Sequence, residues 1–403
     1  MKYKSATIGD IASVQTGPFG SQLHNEDYVL NGTPIVTVEH LGARKMTRQN
    51  LPRVSDADKD RLKKYLLEYG DLVFSRVGSV DRCSLVGQEE NGWLFSGRCL
   101  RVRPYNKDTV YHKYLYYFFI QESTKNFIRS IAVGATMPSI NTKLLAEIPV
   151  HIPDYSTQVE IADTLSSLDN QIEENQKINH HLEQMAQAIF KSWFVDFEPF
   201  GGIMPDDWEK APLGLYVTIK RGGSPRPIHD FLSDTGYRWL KISDVTSLQT
   251  PFVLTIKEHI KKSGLNKTVF RKAGTLVLSN SATPGIPKIL CIDTCIHDGW
   301  LYFPQSLFSN EFLYLFFLHI REDLIALGNG SVFTNLKTDI LKAFPVVCPC
   351  EKVLKQFDAL IVPLFREMEE KTRESARLAE LRDMLLPRLL SGELSIAAPG
   401  DGK

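Results

Sequence analysis

Between Thr157 and about Phe197 the chain sets Ile161, Leu165, Leu168 and Ile172 ahead of Asn175 and Asn179, and Leu182, Ala186, Ile189 and Trp193 behind them. The intervals alternate four and three without a slip, which is the seam of a long helix that packs along another helix. Thr157-Gln158-Val159-Glu160 has the form of a capping box at its start, and Pro199 with Gly201-Gly202 stops it. Roughly 40 residues at ~1.5 Å each make a rod of ~60 Å, too long to lie inside a small domain.

The same spacing returns 196 residues later at Phe357, Ile361, Leu364, Met368, Lys371, Ser375, Leu378, Arg382, Leu385 and Leu389. Other stretches repeat with it. Ile8-Gly9-Asp10-Ile11 matches Leu213-Gly214-Leu215-Tyr216, and Tyr69 to Arg76 matches Ala273 to Asn280. Leu144 to Val150 matches Ile340 to Val346. Order and spacing persist, so the chain is a duplicated unit of about 200 residues, arranged head, rod, head, rod. The four segments are 1–153, 154–198, 199–350 and 351–403.

A helix this long needs a partner, and the chain supplies one. The first seam is polar near its midpoint, at Asn175 and Asn179, and the second near its own, at Lys371 and Ser375. These layers meet in either direction of packing, but connectivity favours an antiparallel pair with a pseudo-two-fold axis. A polar layer fixes register at some cost in stability. Pro363 predicts a kink or a late start in the second rod. Arg382 departs from the seam, and Leu381 is expected to take its place.

Each head reads as mixed α/β (α+β). Ile35 to Val38 and Leu72 to Phe74 are strand candidates between Gly and Pro punctuation. Tyr111 to Ile131 reads as one helix, with Leu115, Phe118, Phe119, Phe127 and Ile128 on its buried side. Ile148 to Pro153 is an extended lead-in to the first rod.

Charge separates the segments although the net charge is zero. The heads hold 20 Lys/Arg against 15 Asp/Glu and 16 against 13, while the rods hold two against nine and nine against ten. Mildly basic heads on acidic rods suit a chain that meets phosphate with its heads alone. No apolar run reaches the ~18 residues of a membrane span, and the N-terminus has no apolar signal core, so the expectation is a cytoplasmic protein. Cys291/Cys295 and Cys348/Cys350 complete no four-ligand set, which leaves the six cysteines as ordinary thiols.

Enzyme motifs are missing. The sequence has no Gly-x-x-x-x-Gly-Lys-Ser/Thr loop, no His-Glu-x-x-His, no Gly-x-Ser-x-Gly and no Asn/Asp-Pro-Pro-aromatic tetrapeptide. Pro205 to Lys210 holds acids and a lysine, but a metal-dependent nuclease spreads these over two strands. His180-His181 reads as surface.

The heads carry loops rich in donors and small residues instead. Thr16, Gly17, Phe19 and Ser21 follow the first strand of one head. Lys220, Arg221, Gly223, Ser224 and Arg226 lie at the matching place in the other. A second pair of loops holds Ser75 and Arg76 in one head, Asn280 and Ser281 in the other. Arg can bridge guanine O6/N7 and Asn adenine N6/N7, while Ser, Thr and backbone amides suit phosphate. The remaining candidates for DNA contact are Arg44, Lys45, Arg82, Ser139, Asn141, Lys241, Lys288 and Asn335.

Phe190-Lys191-Ser192-Trp193-Phe194-Val195-Asp196-Phe197, closing the first rod, resembles the central conserved region of type I restriction–modification specificity subunits. Leu378 to Leu394 resembles their distal conserved region. Met204-Pro205-Asp206-Asp207-Trp208 resembles the entry to their second recognition domain, and Gly134 to Asn141 a motif near the end of the first. The resemblance spans essentially the whole chain. It implies two target-recognition domains, each reading half of a bipartite asymmetric site in double-stranded DNA, spaced by antiparallel helices. It implies no catalysis and no cofactor in this chain. Two methylase subunits would bind S-adenosylmethionine and dock partly on the helices, with Phe190, Trp193, Phe194, Phe197, Leu385 and Leu389 as partner-binding residues. Trp193, Phe194 and Phe197 are expected to be exposed anchors, though Trp193 fits packing into the adjacent head equally well. Restriction subunits would translocate and cleave. The rival readings are a coiled-coil scaffold with protein-binding heads and a stand-alone DNA-modifying enzyme.

Overall fold

The first long helix runs from Tyr155 to Phe194 and the second from Glu351 to Leu390, in a computed structural model that describes residues 3–20, 22–327 and 336–395. The first helix is capped by Asp154, not by the Thr157 box. Asp154 Oδ1 accepts from Ser156 Oγ at 2.6 Å and from Thr157 N at 3.0 Å. Those bonds pull its carboxyl down to about 2. An aspartate satisfies the open amides of a first turn as well as a threonine does, and here it lies nearer the strand that leads in.

The second helix runs unbroken through Pro363 from Glu351, so the proline does not mark its start. The ring removes one backbone bond, but Phe357, Ile361, Phe365 and Met368 on the neighbouring turns are all buried. Their packing holds the backbone helical across the proline.

The four sequence segments group into two units, Met1–Asn170 with Leu378–Lys403, and Gln171–Arg377. Each unit is therefore one head with half of each long helix. In the first unit, Ile161, Ala162 and Leu165 share a core with Leu386, Leu389 and Leu390. In the second, Ala186, Phe190 and Phe194 share one with Phe357, Ile361 and Phe365. In both, the early half of one helix lies beside the late half of the other, which is antiparallel packing.

Leu381 does not replace Arg382 in the seam: it is 40% exposed. Arg382 takes the position itself and reaches Asp169 Oδ1 with Nη1 at 2.7 Å. In the second unit polar meets polar, with Asn179 Nδ2 donating to Thr372 Oγ1 at 3.0 Å.

The heads repeat one architecture. In the first unit an antiparallel sheet orders the strands Ala12–Thr16, Cys99–Pro104, Leu72–Ser75 and Cys83–Leu85. A second sheet pairs Thr33–Val36 in parallel with Leu94–Phe95. In the second unit Val217–Arg221, Trp300–Ser306, Leu276–Ser279 and Pro287–Leu290 form the corresponding row, extended by Phe252–Val253. Tyr237–Leu240 pairs in parallel with Thr294–Ile296. A two-stranded ribbon closes each head, Lys4–Thr7 on Pro149–Ile152 and Glu209–Pro212 on Pro345–Cys348.

The helix expected over Tyr111 to Ile131 is two helices, His112–Ile120 and Glu122–Ile131. Gln121 between them is extended, with ψ 143°, and its side-chain amide donates to Thr124 Oγ1 at 2.9 Å. Phe127, expected inside, is 41% exposed. The first of the two is buried nearly all round, so its sequence carries little periodicity to reveal the break.

Candidate nucleic-acid interface

In the first unit the loop after Thr16 is pressed onto the turn before Cys99. Gly17 N donates to Cys99 O at 3.3 Å, and a Cβ added at Gly17 would lie 2.2 Å from Ser96 O. Gly97 faces it with the same need, since its added Cβ would lie 2.4 Å from Pro18 O. Only glycine lets two backbones approach so closely. Beyond this contact the Phe19 ring stands 53% exposed, with the Arg76 guanidinium carbon 5.4 Å from its centroid. Arg76 Nη1 donates to Gly97 O at 3.2 Å.

The adjoining segment ties in through the backbone. Gly78 N donates to Pro138 O at 2.8 Å, and Ile140 N to Arg76 O at 2.9 Å. Three loops thus converge, bringing Thr16, Gly17, Phe19, Arg76 and Ser139 together.

Other candidates in this unit have structural work. Ser75 is fully buried and donates to Val77 O at 2.7 Å, so it does not reach a ligand. Asn141 caps a short helix, accepting from Leu144 N at 2.9 Å. Arg44 Nη1 donates to Asn170 Oδ1 at 2.8 Å and braces the head against the first long helix. Arg82 and Lys45 are exposed, and Arg82 Nη1 lies 3.5 Å from Val38 O. Ser21 lies outside the described residues.

The second unit builds the same loop contact with other side chains. A Cβ added at Gly222 would lie 2.1 Å from His297 O, and Gly223 N donates to Ile296 O at 3.2 Å. Two residues beyond Gly222, where the first unit has Phe19 beyond Gly17, stands Ser224. Its hydroxyl donates to Asp298 Oδ1 at 2.6 Å, and Arg226 Nη2 to Asp298 Oδ2 at 3.1 Å. Burial pushes the Asp298 carboxyl up, but these bonds outweigh it and hold it below the usual range. Arg221 also donates to Asp298 O.

A cavity of about 760 Å³ opens here, walled by Trp239, Ile228 and Pro227 and edged by Lys241, Ser281 and His297. Gly299 N donates to His297 Nδ1 at 2.7 Å, so the neutral ring carries its proton on Nε2. Burial lowers the His297 pKa and keeps it in that form. Lys241 pairs with Glu258. Trp239, Asp298 and His297 were not legible as site residues, because their roles depend on the parallel pairing of two short strands.

Two candidates here are corrected. Lys288 is buried, with its ammonium donating to Leu248 O at 3.1 Å and to Thr250 O. It ties a loop and is not available to phosphate. Asn280 is 2% exposed, and its backbone pairs with Gly299 and Leu336, so it supports the loop from beneath. Lys220 is exposed beside the cluster. Asn335 lies outside the described residues.

The anchor residues at the end of the first long helix are also corrected. Phe190 and Phe194 are 3% and 5% exposed, packed on Phe312 and Phe357. Trp193 and Phe197 are half-buried, against Phe200 and Trp208 respectively. Leu389 is 1% exposed and Leu385 half-buried. The helix turns this face to its own head, because an aromatic row buries more area there than the seam alone offers. What remains open is a groove of about 420 Å³ lined by Phe190, Phe194, Phe197, Phe316 and Phe344.

Among the described residues no group of three His, Cys, Asp or Glu is placed to hold a metal, and no helix is long and apolar enough to cross a membrane. Cys83, Cys99, Cys291 and Cys295 are buried free thiols.

Fold and loops together define a duplicated α/β protein with two similar heads that differ in the side chains at one matching loop site. The model of the type I restriction modification DNA specificity domain matches residues 1–184 and 205–365, and the chain belongs to that family. The type I restriction enzyme MjaIX specificity subunit of Methanocaldococcus jannaschii is 26% identical over 72% of this chain and 71% of its own. The HindI specificity subunit of Haemophilus influenzae is 23% identical over 97% of this chain and 99% of its own. The crystal structure of an S subunit from M. genitalium superposes with a TM-score of 0.62 at 15% identity, covering 96% of each chain, and shares the fold.

Proposed function

We propose that this chain is the non-catalytic DNA-reading subunit of a type I restriction–modification complex, each head reading one half of a bipartite, asymmetric target. The observation that carries this reading is the matched glycine contact. Gly17 on Ser96 O and Gly222 on His297 O hold the same loop in each head, while the side chains beyond differ. A conserved scaffold with different reading groups suits two different half-sites.

Methylation and S-adenosylmethionine binding belong, in this reading, to two methylase subunits, and translocation and cleavage to restriction subunits. The apolar groove beside Phe190 and Phe197 is the proposed seat for a methylase helix. The paired helices set the distance between half-sites, and the complex works in the cytoplasm. The side chains at the two loops supply donors and a stacking surface, Phe19 and Arg76 in one head and Ser224, Arg226 and Lys241 in the other, which suits reading bases and phosphates.

The test is a gel shift with this chain alone and with a co-expressed methylase, followed by mapping of methylated adenines across the host genome. A single bipartite motif with a constant gap is the expected result. Binding without sequence preference in both states would leave a scaffold, and modification by the purified chain alone would make it an enzyme.

A further inference from the structure

Phe19 is 53% exposed, yet its backbone is tied on both sides. Its carbonyl accepts from Gln22 N at 2.8 Å and from Leu23 N at 3.2 Å. On the other side the Gly97 and Gly17 contacts clamp the chain from Gly17 to Phe19. The Arg76 guanidinium over the ring is itself tied to Gly97 O. The backbone that carries the ring is therefore held from Gly17 to Phe19, with the ring itself in water. A large aromatic surface is kept in water by construction, beneath a fixed cation.

The loop does not need an aromatic in order to fold. The second unit makes the same glycine contact, places Ser224 at the matching position and leaves a cavity beside it. The ring is thus an addition specific to the first head.

We propose that Phe19 is a wedge that enters the DNA at one base step of the half-site read by the first head, with Arg76 fixing the ring and facing the adjacent phosphate or base edge. This rests on the DNA-reading role proposed above. Apolar side chains unstack and kink a duplex when inserted at a step, and every base offers a face on which an aromatic ring can stack. Pyrimidine–purine steps open most easily, so the first half-site is expected to contain a TA or CA/TG step at the wedge. The second half-site needs none, because Ser224 cannot act as a wedge.

The experiment uses the full complex with its methylase subunits on the target mapped as above. The fluorescent adenine analogue 2-aminopurine is placed in turn across both half-sites. The methylated adenine is left out, since a methyltransferase extrudes that base itself. Fluorescence is expected to rise at one step of one half-site only. Phe19→Ala should abolish the rise and weaken binding roughly 5- to 150-fold, while Phe19→Trp keeps both. Thermal melting should be unchanged in either variant because the ring is exposed. Specific binding with no such step, or a signal that survives Phe19→Ala, overturns the wedge and leaves the recognition role standing. Loss of all sequence preference in the unmodified complex overturns the recognition role and the wedge with it.

Discussion

Arg382 Nη1 donates to Asp169 Oδ1 at 2.7 Å inside the helix seam of the first unit, and Tyr117 Oη donates to the other carboxylate oxygen at 2.6 Å. The carboxylate is only 9% exposed. A pair so placed adds little net stability, because desolvation offsets attraction, but removing one partner leaves a buried charge alone. It also joins the head, through Tyr117, to both helices. Arg382→Leu is expected to lower stability by about 3 kcal/mol in denaturant unfolding. The double change Asp169→Leu with Arg382→Leu should recover most of it. Equal losses in single and double variants would show that the pair acts by packing alone.

The polar layer of the second unit is satisfied only in part. Asn175 is fully buried; its Oδ1 accepts from Gln171 Nε2 at 3.3 Å, but its Nδ2 has no partner. Asn175→Leu should raise the melting temperature, worth about 1 kcal/mol, while relaxing the register that the layer fixes. A fall in melting temperature would mean that the layer is better solvated than its geometry indicates.

His112 is packed between Tyr69 and Tyr111, with ring centroids at 5.0 Å, and burial pushes its pKa down to about 4. The folded state then binds fewer protons than the unfolded state between about 6.5 and 4. Stability should fall as pH drops through that window and level off below it. His112→Phe should flatten this part of the pH profile measured by urea midpoints.

Lys288 gives the opposite end of the profile. Burial lowers its pKa to about 8. Between about 8 and 10.5 the folded state has lost a proton that the unfolded chain retains, so stability should rise with pH there. At neutral pH both states are charged and the desolvation cost is fully present. Lys288→Met should remove this rise from the profile of urea midpoints between about pH 8 and 10.5.

Removing one heptad from each long helix shortens an antiparallel pair by ~10 Å, which is about three base pairs of B-DNA. Methylome mapping should show a gap shorter by that amount, or no modification at all. An unchanged gap would sink the spacing role of the helices.

Local pattern was enough for the duplication, the two long helices and the loops at matching places. A seam repeats every few residues and a duplicated chain repeats its own order, so both can be read without knowing what touches what. The cap moved from Thr157 to Asp154 because either side chain can accept from the first-turn amides, and Pro363 proved tolerable because buried neighbours hold the helix across it.

The loops show the same division. Gly17 and Gly222 stand out in sequence only as turn glycines, and their importance is the 2.2 Å and 2.1 Å approach to a strand end about 80 residues away. Lys288 reads as a free cation and is a buried tie to two carbonyls. Phe194 reads as an exposed anchor at the end of a rod and lies in a core with Phe190, Phe312 and Phe357. Sequence alone determined the repeat, the helical periodicity and the charge of each segment, because these are local or additive properties. Which face of each helix is buried, how Arg382 is neutralised and which loop residues reach solvent were decided by tertiary contacts between residues far apart in the chain.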